Sequence, residues 1–212
     1  MKNILCFGDS NTWGYEPGTG QRFAFDVRWT GVLQHSLDTG YRVIEGGLNG
    51  RTTIFEDETR DYRNGISLLP AFLESHSPLD LVIIMLGTND LKTFFDMPVS
   101  EIAQGAKMLC ETILKHHYTV GQCPQILLVS PSLVEEMPPE DDKEFIGAIA
   151  KSRQFATHYK SVADALNVHF FDAAQVIKTS VIDGVHWDPC QHGAFGKAIA
   201  DAVVEIVADT VN

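Results

Sequence analysis

Four short stretches of this chain carry residue types that together could perform acyl-transfer chemistry. Ser10 stands in Phe7-Gly8-Asp9-Ser10-Asn11-Thr12, just past the apolar run Ile4 to Phe7. At the carboxyl end of a buried strand, on a turn feeding a helix, its hydroxyl would sit at the rim of a sheet as a nucleophile; the same position also suits a helix cap. A serine nucleophile needs a base for its proton, a group that orients the base, and donors for the oxyanion that forms on the carbonyl. Asp183-Gly184-Val185-His186 offers base and orienter, because Asp183 can bond one imidazole nitrogen while the other faces Ser10. The same four residues also read as a surface turn. Asn89, in Gly87-Thr88-Asn89-Asp90, could donate its amide to an oxyanion or simply cap a turn. Gly50 could lend a backbone N–H or serve only its turn.

These residues are useful together only if one scaffold gathers them. Ile4 to Phe7 reads as a buried strand stopped by Gly8, and Leu79 to Leu86, apolar except for Asp80, as a central strand stopped by Gly87. Val43-Ile44, Ile126 to Val129 and Val168 to Phe171 complete five strands. Between them, helical spacing recurs from Trp29 to a stop at Gly40, from Ile66 to Ser75, from a cap at Ser100 to Leu114, and in one long helix from Phe145 to Leu166. Phe195 to Ile206 closes the chain with an amphipathic helix, and His192 falls at its start with no evident chemical role. Gly14 to Asp26 reads as a loop, and the acidic, proline-bearing Glu135 to Asp142 as an exposed loop or a short turn of helix. Strands alternating with helices imply a parallel sheet covered on both faces, an α/β fold in one domain spanning 1–212. With the flavodoxin-like order 2-1-3-4-5, a crevice opens outside the carboxyl ends of the first and third strands, flanked by Ser10 and Asn89.

Composition narrows the function classes. The 212 residues carry a net charge of −12, which argues against nucleic acid or an anionic membrane as partner, since both call for clustered Lys and Arg. Cys6, Cys110, Cys123 and Cys190 are scattered without C-x-x-C spacing, which favours a reducing compartment over a disulfide framework. No run reaches membrane-spanning length and no signal-like apolar segment precedes the first strand, so the expected location is the cytoplasm. Apart from His186, the histidines (His35, His76, His116, His117, His158, His169 and His192) show no paired ligand spacing, and no metal site is expected.

Gly8-Asp9-Ser10, Gly50 within Leu48-Asn49-Gly50-Arg51-Thr52, Gly87-Thr88-Asn89-Asp90 and Asp183-Gly184-Val185-His186 occur in the order of the four sequence blocks of the GDSL/SGNH hydrolases, and the chain resembles that family over nearly its whole length. No G-x-S-x-G surrounds any serine, which removes the main competing serine-esterase fold. The resemblance implies a three-layer α/β/α sandwich and ester hydrolysis without metal or organic cofactor. By motif position it makes Ser10 the nucleophile, His186 the base, Asp183 its orienter, and the Ser10 and Gly50 N–H groups with the Asn89 amide the oxyanion hole.

The stretches Gly8 to Tyr15 and Leu48 to Thr53 look most like the arylesterase/acyltransferase branch. That branch acts on short acyl esters and its members often form octamers, so a homo-oligomer is expected. Relatives there can carry a small non-glycine residue where this chain has Gly50, which weakens the expectation of transfer to alcohols against hydrolysis. Acetyl-carbohydrate esterase and thioesterase or lysophospholipase are neighbouring readings, and a non-catalytic flavodoxin-like binding domain is the alternative from another class. Trp13, Phe94, Phe95, Met97, Val185 and Trp187, near the motifs in sequence, are candidate pocket walls or ordinary packing residues. Arg51 would order the charged loop that carries Glu56, Asp57, Glu58, Arg60, Asp61 and Arg63, touch a substrate oxygen or form a surface ion pair.

Overall fold

The computed structural model describes residues 1–136 and 143–208. In chain order the elements are β1 (Lys2–Gly8), α1 (Ser10–Trp13), α2 (Trp29–Ser36), β2 (Tyr41–Gly47), α3 (Gly65–His76), β3 (Leu81–Met85), α4 (Val99–Lys115), β4 (Gln125–Ser130), α5 (Ala148–Ser152), α6 (Phe155–Leu166), β5 (His169–Asp172) and α7 (Pro189–Ala208), with short 3-10 turns at Asn89–Leu91 and Ala173–Gln175. All five strands are parallel, in the order β2-β1-β3-β4-β5. This is the expected flavodoxin-like sheet.

Strand alternation sends the side chains to two cores. Leu5, Phe7, Val82, Ile84, Ile126 and Leu128 meet α3, α4 and α6 on one face. Ile4, Cys6, Leu81, Ile83, Leu127 and Val129 meet α2 and α7 on the other. Because both faces are covered, the central strands read as unbroken apolar runs, and each large side chain fully removed from water contributes about 1.5–3 kcal/mol.

Several expected boundaries shift. Helix α2 ends at Ser36, where Leu37 turns extended while its N–H still bonds Leu33 O; Gly40 lies beyond, in a turn whose N–H bonds the Asp38 carboxylate at 2.6 Å. Helix α4 is entered from Pro98 rather than capped by Ser100. The long helix expected from Phe145 to Leu166 is two helices. Buried Ser152, the last residue of α5, donates its hydroxyl to Ile149 O and accepts from the Val134 N–H, a local bonding pattern that competes with helix continuation. Of the loop expected over Glu135 to Asp142, residues 137–142 lie outside the described residues.

Register explains how distant motifs meet. Gly8 is paired with Gly47 of β2 and with Met85 of β3, so these three strands end level with one another. Ser10, Gly50 and Asn89 each follow within four residues of such an end. The sheet order reverses on either side of β1, which opens a crevice outside the strand ends there.

Candidate active site

Asp9 caps α1, its carboxylate accepting the Asn11 N–H at 3.0 Å, and this frees Ser10 from capping and turns its hydroxyl outward. The loop after β5 delivers the other partners. It is tied down by bonds from Ser180 N–H to His186 O (2.7 Å), from Glu135 N–H to Gly184 O (2.9 Å) and from the Trp187 indole to Ser132 Oγ (2.9 Å). The Asn11 amide donates to Val185 O at 3.3 Å and joins this loop directly to α1.

His186 Nε2 lies 3.0 Å from Ser10 Oγ, and His186 Nδ1 lies 2.8 Å from Asp183 Oδ2. The two contacts set the tautomer: Nδ1–H donates to the carboxylate and Nε2 accepts from the serine hydroxyl. Asp183 Oδ1 is held in turn by the N–H groups of Val185 (3.0 Å) and His186 (2.9 Å). Partial burial raises the Asp183 pKa, but the bond to the imidazole, its charge and the two N–H donors outweigh this and leave it below the ordinary carboxylate value. The group that faces the imidazole therefore stays anionic at neutral pH.

Asn89 opens a 3-10 turn, and its amide donates to Arg51 O at 3.1 Å, which leaves its second N–H for the cavity. Gly50 adopts φ +79°, a left-handed conformation that favours glycine. Arg51 has none of the roles expected for it. It is buried at 2% exposure, with its guanidinium donating to Gly8 O at 2.8 Å and to Gly46 O, and stacked 4.1 Å from the Phe7 ring centre. It thus staples the ends of β1 and β2 and fixes where Gly50 stands. Burial pulls its pKa down to about 10, against the opposing charge of Asp9, so it remains a cation at neutral pH.

Asp90 performs the matching task on the other side. Fully buried, it accepts the Thr53 N–H at 2.9 Å and the Thr53 hydroxyl, which clamps the segment after Gly50 to the turn bearing Asn89. Burial raises its pKa to about 7 despite these donors. The folded state therefore holds the Asp90 proton where the unfolded chain has released it. Stability from this group is fully present below pH 4 and falls as pH climbs from about 4 to 7. The expected drop is on the order of 4 kcal/mol. Urea unfolding across this range should show the wild type losing stability relative to Asp90→Asn as pH rises; a constant difference would overturn the assignment.

A cavity of about 460 Å³ opens over these groups, lined among others by Ser10, Tyr15, Asn49, Gly50, Arg60, Asn89, Lys92, Phe145, Val185 and His186. Of the six expected walls, Val185 lines it. Trp187 is fully buried in the core behind the sheet, in edge contact with Phe195 at 4.8 Å. The Trp13 backbone lies against Gly47, and its ring sits beneath the Arg22 guanidinium. Phe94 is 53% exposed with Phe95 against it at 4.3 Å, and Met97 leans on the first core. Neighbours in a turn point in different directions, so closeness in sequence was a poor guide to the wall.

Sequence reasoning missed Tyr15, whose ring stacks on His186 at 4.0 Å and 27°. It is held there because the loop from Gly14 folds back through Tyr15 and Arg22, while Glu45 gathers Arg22, Arg28 and Thr30. Behind the histidine loop, buried His192 accepts the Trp29 N–H at 3.3 Å, and burial with nearby His186 and Arg28 lowers its pKa to about 3, so it is a neutral prop. Among the described residues no group of His, Cys, Asp and Glu could hold a metal ion, and no helix is long and apolar enough to cross a membrane.

A model of the GDSL-like Lipase/Acylhydrolase family matches residues 6–198. In structure the chain is similar to the native aryl esterase of M. smegmatis, at 42% identity and TM-score 0.94 over 97% of this chain and 100% of that one. It is similar to Est24, a carbohydrate acetylesterase from Sinorhizobium meliloti, at 40% identity and TM-score 0.94 with the same coverage. A carbohydrate acetylesterase family member from Sinorhizobium meliloti gives 37% identity and TM-score 0.95 over 98% of this chain and 100% of that chain. No curated protein sequence matches.

Proposed function

Since the chain belongs to the GDSL-like lipase and acylhydrolase family, we propose that it hydrolyses short acyl esters through an acyl-enzyme on Ser10. The observation that carries this is the chain of contacts Asp183–His186–Ser10, at 2.8 and 3.0 Å, opening into a cavity edged by Gly50 and Asn89. Ser10 Oγ attacks the ester carbonyl carbon while its proton passes to His186 Nε2. The carbonyl oxygen takes the negative charge and is received by the Asn89 amide and the N–H groups of Gly50 and Ser10; the first N–H groups of a helix have no partner within it. The C–O bond to the alcohol breaks as His186 protonates the leaving oxygen. Water then attacks the acyl carbon with His186 again as base, and Ser10 leaves with the proton. Asp183 holds the ring and stabilises its charged form throughout.

Hydrolysis is favoured over transfer to alcohols because much of the cavity wall is polar, with Asn49, Arg60, Lys92 and Glu144 on it, so water reaches the acyl-enzyme readily. The short-acyl reading is in keeping with the aryl esterase and acetylesterase relatives. Acetylated carbohydrates are the second reading, favoured by the same polar wall. Exposed Ile146, Val181 and Ile182, at or next to cavity-lining positions in the chain, support a homo-oligomer, which light scattering would test. Four free cysteines, two of them buried, fit a reducing compartment such as the cytoplasm.

A series of p-nitrophenyl esters of rising acyl length tests the main reading. Turnover should be highest for acetate and propionate and fall steeply by octanoate. Equal or rising activity toward long chains would remove the short-acyl assignment, and no turnover of any ester would remove the esterase.

A further inference from the structure

We infer that the ester substrate carries a carboxylate close to its scissile carbonyl and that Arg60 binds it; this rests on the cavity being the esterase site proposed above. Arg60 lies in the charged loop after β2, where sequence reading gave it no task. Its Nε is anchored to Asp57 Oδ2 at 3.3 Å, and its own N–H bonds Asp57 O at 3.2 Å. Asp57 is itself fixed by the Thr59 N–H at 2.9 Å and hydroxyl at 2.5 Å. The Asp57 side chain is 1% exposed and that of Arg60 38%, so the anchor is buried and the far end of the guanidinium is presented to the cavity.

That far end stands against Gly50. A Cβ built on Gly50 would fall 2.3 Å from Arg60 Nη2 and 2.9 Å from Nη1. The space a side chain would fill is the space the guanidinium occupies, and the residue beneath it is the one whose N–H is assigned to the oxyanion. Arg60 is therefore beside the carbonyl carbon's place rather than at the cavity rim.

The other charged groups on the wall are committed. Lys92 Nζ lies 2.5 Å from Glu144 Oε1, and Asp183 is engaged by His186. Nη1 and Nη2 of Arg60 have no hydrogen bond to any described residue. Two adjacent N–H donors on a fixed planar fork match the two oxygens of a carboxylate, a geometry that a neutral ester alkyl group leaves unused. In a chain of net charge −12, an anion needs such a local cation to approach at all.

The test uses ester pairs that differ in the carboxylate: 3-acetoxybenzoate against 3-acetoxybenzamide for the alcohol side, and monophenyl glutarate against phenyl valerate for the acyl side. In the wild type one pair should show kcat/KM higher by about tenfold or more for the acid, which identifies the side that carries it. The ratio should fall to about one in Arg60→Gln and stay intermediate in Arg60→Lys, which keeps the charge without the fork. Ratios near one for both pairs in the wild type, or a preference that survives Arg60→Gln, would overturn the inference. Calorimetric titration of glutarate into Ser10→Ala separates the two readings. Saturable binding that disappears in the Ser10→Ala, Arg60→Gln double variant supports the arginine whether or not esters turn over. Absence of binding overturns it and leaves the esterase reading to stand on the neutral esters.

Discussion

Replacing Ser10 by alanine is expected to lower kcat/KM for p-nitrophenyl acetate by about ten-thousandfold or more while the protein stays folded. Without Oγ no acyl-enzyme forms and His186 has no proton to take, so only the oxyanion donors and the cavity remain to help water attack directly. Stability should change by less than about 1 kcal/mol, because α1 is capped by Asp9 and Ser10 lies at its start with 6% exposure, where one oxygen is lost and no apolar contact. Active-site titration, with a burst of p-nitrophenol in the wild type and none in the variant, checks the step directly. Activity within tenfold of the wild type would remove Ser10 from the mechanism.

The second large effect is expected at Asn89. Its truncation to alanine removes one donor to the oxyanion and should cost about 10²–10³-fold in kcat, or about 2.7–4 kcal/mol of transition-state stabilisation. KM should change much less, because the donor is matched to charge that develops only as the tetrahedral species forms. The same amide also donates to Arg51 O at 3.1 Å, so some loss of stability accompanies the variant, and urea unfolding measures that part separately. A loss of only a few fold in kcat would take Asn89 out of the oxyanion hole. A rise in KM with kcat intact would make it a binding residue instead.

What could be read from the chain before its structure was the sheet and the residues at its strand ends. Buried parallel strands are apolar without interruption, as in Leu81–Met85, and glycines stop them, so strand ends and the residues just beyond were visible. Because register brings Gly8, Gly47 and Met85 level, knowledge of the ends was nearly knowledge of the crevice. The cavity wall was less legible. It is made by chain reversals: Tyr15 reaches His186 only because Glu45 collects two arginines, and Phe145 arrives beside Lys92 only because Thr93 bonds Glu144 O at 2.7 Å. Arg51 looked like a surface charge because no local pattern announces an arginine that will be buried against two carbonyl oxygens. The break between α5 and α6 has no glycine or proline to mark it and depends on Ser152 finding Val134.

The bond between Ser10 and His186 spans 176 positions, and the tether from Asn11 to Val185 spans 174. Contacts this distant raise the contact order and slow the final folding step, because much loop entropy is lost before they form. During synthesis Ser10, Gly50 and Asn89 leave the ribosome long before His186 does, and domains commonly begin to fold from their N-terminal side. A nascent chain stopped short of residue 183 therefore carries a serine with no proton acceptor. On the proposed mechanism, acyl transfer therefore awaits the docking of the loop that carries Asp183 and His186.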